Sequence, residues 1–229
     1  MRKLMIAVAA TVLTGAPLFA QESGGPDARG YITGLGGFAV SVGNTTGNML
    51  VEGGVRIAPH LMVFGNIGRF GNLQADLQPT LDATTTALAA NQGLSVLGGG
   101  SLPASYFTGG LRVEVPTNSR VMPYILGSVG VARLNPTAQF TFSSGVMPDG
   151  STPATGTDVT TALTSAGSFT APPGSTAPMF TLGGGVQVPV APHWVVDTAY
   201  RYSRIAADST LSASPLIANG MTFGIGYRF

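Results

Sequence analysis

The sequence predicts an all-β fold: an eight-stranded antiparallel up-and-down β-barrel that crosses a membrane. Segments of about ten residues alternate between apolar and small or polar residues, which is typical of barrel strands in lipid. Short and long connections alternate between these segments, and no run of eighteen apolar residues follows residue 20. Only 9% of the residues are charged, against about a quarter in soluble domains. The mean hydropathy of +0.32 is typical of a protein whose outer surface faces lipid.

The first twenty residues differ from the rest of the chain. Arg2 and Lys3 precede an apolar run from Leu4 to Leu13, and the small residue Ala20 ends the segment. This order is typical of a secretory signal peptide, and the run is too short to span a bilayer as a helix. We expect a cleaved signal peptide, a short periplasmic N-terminal segment and a barrel domain, at residues 1–20, 21–29 and 30–229.

The charge of the mature chain excludes one class of partner. Without Arg2 and Lys3, nine arginines stand against ten acidic residues, a net charge of −1. Nucleic-acid binding therefore has no electrostatic basis. The chain has no cysteine, so disulfide bonds and thiolate chemistry are excluded as well.

Eight segments carry the strand pattern. Four are regular: Glu52–Ile57, Phe107–Val115, Val196–Ser203 and Met221–Phe229. The other four are less regular: Tyr31–Val42, Leu61–Arg69, Val121–Arg133 and Phe180–Val190. The last of these should end or bulge at Pro189, because proline has no amide hydrogen to donate to a sheet.

One face of each regular segment is apolar and the other carries the charges. Eight strands close a barrel that side chains can just fill, so inward charges of both signs should pair and block the lumen. The alternative for each charge is a place at the membrane rim. The predicted lumen network consists of Glu52, Arg56, Arg112, Glu114, Asp197, Arg201 and Arg228.

The connections orient the barrel. Short turns occur at 58–60, 116–120 and 191–193, and an even number of strands places both termini on that side, the periplasm. The long extracellular loops run over about 71–104, 135–178 and 205–216. The leucines at 77, 81 and 88 suggest a short amphipathic helix in the first of them. Residues 144–178 are rich in Ser, Thr, Ala, Gly and Pro, so we expect this stretch to be mobile.

Aromatic residues are concentrated near the ends of the predicted strands. Amphipathic rings favour the level of the lipid headgroups, where barrels carry aromatic girdles. We therefore predict that Tyr106, Phe107, Trp194 and Tyr202 are interfacial aromatics.

The chain end carries a resemblance to a known family. Phe229 is the last residue, and Phe223, Ile225 and Tyr227 precede it at alternate positions. This ending resembles the C-terminal signal that the barrel assembly machinery of Gram-negative bacteria reads. Together with Tyr200-Arg201-Tyr202 and Met122-Pro123-Tyr124, it resembles the OmpA/OmpX-like ("porin family") superfamily of small outer-membrane barrels. The resemblance implies an outer-membrane location, contact with its lipid, and transit with periplasmic chaperones and that machinery.

Three functions remain open for such a barrel. The first is a non-enzymatic structural or surface-interaction role, with a possible ligand on loops 71–104 and 135–178. The second is a small porin. The third is a lipid-modifying enzyme, which would need a histidine near the outer leaflet; His60 and His193 lie in predicted periplasmic turns instead. No catalytic residue, metal ligand or cofactor site is predicted.

Overall fold

The computed structural model describes residues 28–41, 44–73, 77–170, 173–207 and 214–229. The expected signal peptide, and residues 21–27 of the expected N-terminal segment, lie outside the described residues. No helix in the described ranges is both long enough and apolar enough to cross a membrane.

Eight antiparallel strands close into a barrel, as the sequence predicts. The strands are β1 (Gly30–Ser41), β2 (Asn44–Ala58), β3 (Leu61–Phe70), β5 (Ala104–Glu114), β6 (Met122–Leu134), β8 (Ser175–Pro189), β9 (Trp194–Ile205) and β10 (Leu216–Arg228); β4 and β7 lie outside the barrel and are described below. The order around the barrel is β1, β10, β9, β8, β6, β5, β3, β2, and β2 pairs again with β1.

Side-chain burial follows the alternation that the sequence shows. On β5, Phe107, Leu111 and Val113 are exposed on the outer face, whereas Thr108 and Arg112 are buried inside. β8 ends at Pro189, as expected from the missing amide hydrogen. β2 begins at Asn44, well before the regular segment that starts at Glu52, because Asn44–Asn48 also pair with β1.

The long extracellular connections contain four further elements. Helix α1 (Leu77–Gln92) and strand β4 (Ser95–Ser101) lie between β3 and β5. Strand β7 (Thr137–Ser144) and helix α2 (Thr160–Ser165) lie between β6 and β8. The helix predicted at the leucines is therefore confirmed. It ends where Gly93 adopts a left-handed φ of 65° and the amide of Leu94 donates to the carbonyl of Leu88.

β4 and β7 extend a barrel hairpin outward. Ser101 pairs with Thr137 and Ala104 pairs with Leu134, so the register continues unchanged across the barrel rim. Pro103 and Pro136 interrupt the ladder at this rim, because neither residue has an amide hydrogen. The amide of Asn135 still donates to the carbonyl of Pro103 at 3.0 Å. We call the β4–β7 pair the ribbon.

The ribbon and the two helices enclose their own hydrophobic core. We call these elements, with the segments that join them, the cap. Its buried core residues are Leu81, Leu88, Leu94, Val96, Phe140, Phe142, Met147, Val159, Leu163 and Phe169. Part of the stretch that we expect to be mobile is packed, since Met147, Val159, Leu163 and Phe169 are buried in this core together with residues of β7. Residues 171 and 172 lie outside the described part.

The cap is packed on the face of the ribbon that continues the barrel interior. Val96, Phe140 and Phe142 are buried in the cap, and they have the same even positions as Ala104, Tyr106 and Leu134 inside the barrel. A Cβ on Gly98, on the same face, would contact Leu81 of α1. The opposite face of the ribbon continues the outer surface of the barrel.

Candidate functional site

Three buried carboxylates organise the periplasmic half of the lumen. Each carboxylate binds two donors, one at each oxygen. Glu52 accepts hydrogen bonds from the Tyr31 hydroxyl at 2.8 Å and from Arg201 at 2.8 Å. Glu114 accepts from Arg56 at 2.9 Å and from Arg228 at 3.0 Å. All four bonds are charge-assisted because each acceptor is a carboxylate, and the bond from Arg228 to Glu114 connects β10 with β5 on the opposite side of the barrel.

The third carboxylate, Asp197, has no arginine of the described residues within hydrogen-bond distance. It accepts from the Tyr124 hydroxyl at 2.6 Å and from the Gln187 amide at 2.6 Å. Its nearest cation is Arg112, whose Nη1 lies 3.8 Å from the carboxylate. Asp197 therefore depends on Arg112 for charge compensation.

Arg112 occupies the centre of this network and is fully buried. Its guanidinium lies 3.8 Å from Glu52 and 4.0 Å from Glu114. Its guanidinium carbon also stacks over two rings, 3.5 Å from the centre of Tyr124 and 4.7 Å from the centre of Tyr31. One cation thus faces three carboxylates and two aromatic faces, which attract it in a site shielded from water.

An apolar layer closes the extracellular half of the lumen. Its buried residues come from all eight barrel strands and from both ends of the first long loop. They are Leu35, Ala39, Leu50, Phe70, Leu73, Leu102, Ala104, Tyr106, Ala132, Leu134, Ala177, Met179, Ile205, Leu216 and Ala218. Polar side chains, such as Thr108 bonded to Asn66 and Ser128, separate this layer from the charges.

The structure brings all seven predicted lumen charges into one connected set. The set contains four arginines and three carboxylates, and therefore carries one excess positive charge. Sequence reasoning missed the neutral members Tyr31, Tyr124 and Gln187, and it missed the apolar layer. The alternation could have placed Tyr31, Tyr124, Gln187 and the strand residues of the apolar layer inside the barrel, because each has the inward parity of its strand.

One predicted interfacial aromatic lies elsewhere. Tyr106 faces the interior, where its hydroxyl donates to Asn48 at 3.0 Å and its ring packs 4.9 Å from Phe70. The prediction was wrong because Tyr106 has the inward parity of β5, next to the outward Phe107. Phe107 and Trp194 are about half exposed on the outer face, and Tyr202 also faces outward, 6.2 Å from Phe180.

The C-terminal residues lie at the periplasmic end of the seam between β1 and β10. Phe223, Ile225 and Tyr227 face outward, and the backbone of Phe229 exchanges two hydrogen bonds with Gly30. The ring of Tyr227 stacks on that of His193 at 5.4 Å.

Both histidines lie in short turns, on the side of the barrel opposite the cap. His60 follows Pro59 with a left-handed φ of 63°. His193 makes a 3.0 Å contact between its Nδ1 and the carbonyl of Arg228. Within the described residues, no group of three or more His, Asp, Glu or Cys side chains is placed to hold a metal ion.

Two exposed carboxylates order turns within the cap. Asp158 accepts hydrogen bonds from the amide and hydroxyl of Thr160 and from Gln139 on β7. Asp149 accepts from the amide and hydroxyl of Ser151. These hydrogen bonds, led by those from the serine and threonine hydroxyls, lower the pKa of both carboxyl groups below the ordinary value.

Comparisons with known proteins agree with this architecture. A search of curated protein sequences finds no match to the chain. Among solved structures, Neisserial surface protein A is similar with a TM-score of 0.53 and 16% identity, over 87% of this chain and 97% of that one. The attachment invasion locus protein Ail of Yersinia pestis has a TM-score of 0.46 and 15% identity, over 88% of this chain and 99% of that one. At 16% identity, the likeness to Neisserial surface protein A concerns the fold alone.

A family profile covers nearly the whole chain. The profile described as "Outer membrane protein beta-barrel domain" matches residues 6–229. This range includes every barrel strand, the lumen network and the cap. The chain therefore belongs to the outer-membrane β-barrel domain family, and it is a transmembrane barrel of the bacterial outer membrane.

Proposed function

We propose that this protein is a non-enzymatic outer-membrane barrel that presents the cap at the cell surface as an interaction module. One observation carries the proposal: two long loops share a hydrophobic core over a barrel whose lumen is filled. Ordering loops of this length costs conformational entropy, so a folded cap needs favourable interactions that offset this cost. Here the core supplies the stability, and the exposed faces of the cap remain available for a partner.

The filled lumen argues against a role as a porin. A permeating ion would have to pass the apolar layer and then displace the paired charges around Arg112. Separating a buried ion pair is strongly unfavourable, and an apolar constriction offers no replacement for hydration. The barrel therefore supports the cap rather than a channel.

The placement of the histidines argues against a lipid-modifying enzyme. Such chemistry requires a base within hydrogen-bond reach of a nucleophile at the outer leaflet. His60 and His193 lie in turns at the opposite end of the barrel. We accordingly assign them turn-forming roles.

Conductance and surface binding can be tested on the same pair of proteins. The first is the intact chain, and the second replaces 74–100 and 138–173 by short glycine-serine linkers. This cap-deleted variant keeps Leu73 and Leu102 in the apolar layer. In planar bilayers we expect no defined conductance step from either protein. A stable step from the intact chain would overturn the closed-barrel proposal.

The surface role is tested on bacteria that display the two proteins at equal levels. We expect cells with the intact chain to attach to one another or to an epithelial monolayer more than cells with the cap-deleted variant. Adding the purified intact barrel should compete with this attachment. If cells with the intact chain and cells with the cap-deleted variant attached equally, both to one another and to the monolayer, a role of the cap in adhesion would be contradicted.

A further inference from the structure

Three arginines face outward at the extracellular rim of the barrel. Arg69, Arg133 and Arg204 are each the next-to-last residue of an outward-running strand, β3, β6 and β9. All three side chains are exposed. The residue after each of them, Phe70, Leu134 or Ile205, is buried in the apolar layer, so the arginine is directed away from the lumen.

On the described barrel strands, these arginines have no acidic neighbour on the outer surface. The acidic residues of the described barrel strands are Glu52, Glu114 and Asp197, and all three are buried inside. No ion pair links Arg69 or Arg133 to any described residue. Among the described barrel strands, the charged side chains at the outer rim are therefore all cationic.

Two of the arginines belong to one row across neighbouring strands. Arg69 is the register partner of Ser105 on β5, and Ser105 is the partner of Arg133 on β6. Adjacent strands are about 4.8 Å apart, so the two arginines lie about 10 Å apart with the exposed Ser105 hydroxyl between them. Both flexible side chains can converge on one anion above the serine. Arg204 differs, because its partners are Phe180 and Ile217.

The rows on either side of this site differ in polarity. Toward the membrane, Ile67, Phe107 and Val131 form the next outward row, and all three are about half exposed. Away from the membrane, the next outward positions are Pro103 and Asn135, and beyond them the hydroxyls of Ser101 and Thr137 lie 2.7 Å apart on the ribbon. From the membrane outward, the surface is therefore apolar, then cationic and then polar, which matches an amphiphile with acyl chains, a phosphate and a sugar or other hydroxylated headgroup.

We propose that Arg69, Ser105 and Arg133 form a binding site for the phosphate of an outer-leaflet glycolipid. The two guanidiniums neutralise the phosphate and donate charge-assisted hydrogen bonds to its oxygens, while Ser105 donates a further bond. The apolar row below holds the first segment of the acyl chains. A lipid is favoured over free phosphate because the site lies directly beside this apolar surface.

The test measures binding of fluorescent lipid A to the purified barrel in detergent, with three probes and matched variants. The probes are lipid A, the same lipid after enzymatic removal of its phosphates, and inorganic phosphate as competitor. R69Q and R133Q are compared singly and together. R120Q, in a periplasmic turn, and R204Q, at the same rim but outside the row, remove the same charge elsewhere. All these side chains are exposed, and circular dichroism checks that each variant folds.

We expect each single substitution in the row to weaken lipid A binding about fivefold, and the pair about 25-fold, from the attraction of each cation to anionic headgroups. The dephosphorylated lipid should bind the intact barrel as weakly as lipid A binds the double variant. R120Q and R204Q should change binding less than twofold, as estimated for charges outside the site.

Three results would overturn the proposal. Equal loss with R204Q would indicate general rim charge rather than a site. Equal binding of the dephosphorylated lipid would remove the phosphate from the interaction. Displacement of lipid A by millimolar inorganic phosphate would indicate a simple anion site without selection for lipid.

Discussion

Arg112 shows how one residue can hold a barrel lumen closed. Burying a guanidinium is costly, and the attraction of nearby carboxylates must offset the loss of water. Glu52 and Glu114 have other arginines, whereas Asp197 has only Arg112 as a cation within 4 Å among the described residues. The central arginine therefore matters most for the carboxylate that has no other ion pair.

We predict that R112M lowers the free energy of unfolding by about 3 kcal/mol, because it leaves Asp197 buried and uncompensated. Urea unfolding of the barrel in lipid vesicles measures this loss. The double variant R112M/D197N should recover part of it, since the unpaired charge is then gone.

The matched control for R112M is Arg120→Met, which removes an exposed arginine in a periplasmic turn. It should change the free energy of unfolding by less than about 0.5 kcal/mol. An R112M barrel as stable as the natural one would contradict a stabilising role of Arg112 in the lumen network.

At the scale of elements, the ribbon explains how the cap is attached. β5 and β6 are strands in lipid, and the same register continues them as β4 and β7 outside it. The prolines at the rim remove ladder donors, but the extension keeps one face apolar. α1 and the segment around α2 cover that face, because an isolated two-stranded ribbon is marginally stable in water.

We predict that F140A destabilises the cap and leaves the barrel intact. Phe140 is fully buried and packs 4.9 Å from Phe169, so truncation opens a cavity worth about 3–5 kcal/mol of local stability. Hydrogen exchange should accelerate in β4, β7 and both helices and stay unchanged in the barrel strands. Leu97, which is 69% exposed on the other face of the ribbon, supplies the control L97A. Equal exchange in F140A and L97A would contradict a cooperative cap.

For the whole molecule, closure depends on the seam between the first and last strands. β1 pairs with β10 from Tyr31 and Arg228 to Val40 and Asn219, and Gly30 pairs with Phe229 beyond the strand end. A closed sheet leaves no unpaired edge in hydrocarbon, where each unpaired backbone group costs several kcal/mol. The pairing of the final strand, β10, with β1 is therefore required for a stable barrel.

We predict that F229A slows insertion by the barrel assembly machinery severalfold, while spontaneous refolding into detergent changes little. The reason is that the terminal side chain belongs to the predicted assembly signal, whereas the seam hydrogen bonds of residue 229 come from its backbone. Insertion kinetics into vesicles with and without the machinery separate the two effects. The control is F107A, which removes an aromatic ring that is half exposed on the outer face of β5. A similar delay in F107A would argue against a terminal signal.

The sequence by itself determined the class of fold and the inward position of the charges. Alternation along a strand is a local property, so the faces of Arg112, Glu114, Asp197 and Arg201 could be assigned without knowing any partner. Tyr106 shows the limit of composition, since aromatic type suggested the interface while its parity placed it inside.

Only the tertiary structure decided which groups meet. Arg201 binds Glu52 across 149 positions of sequence, and that pairing depends on strand order and register around the closed barrel. The apolar layer and the cap core also join residues from distant segments. Burial among such segments is a property of the assembled fold, so no local pattern contains it.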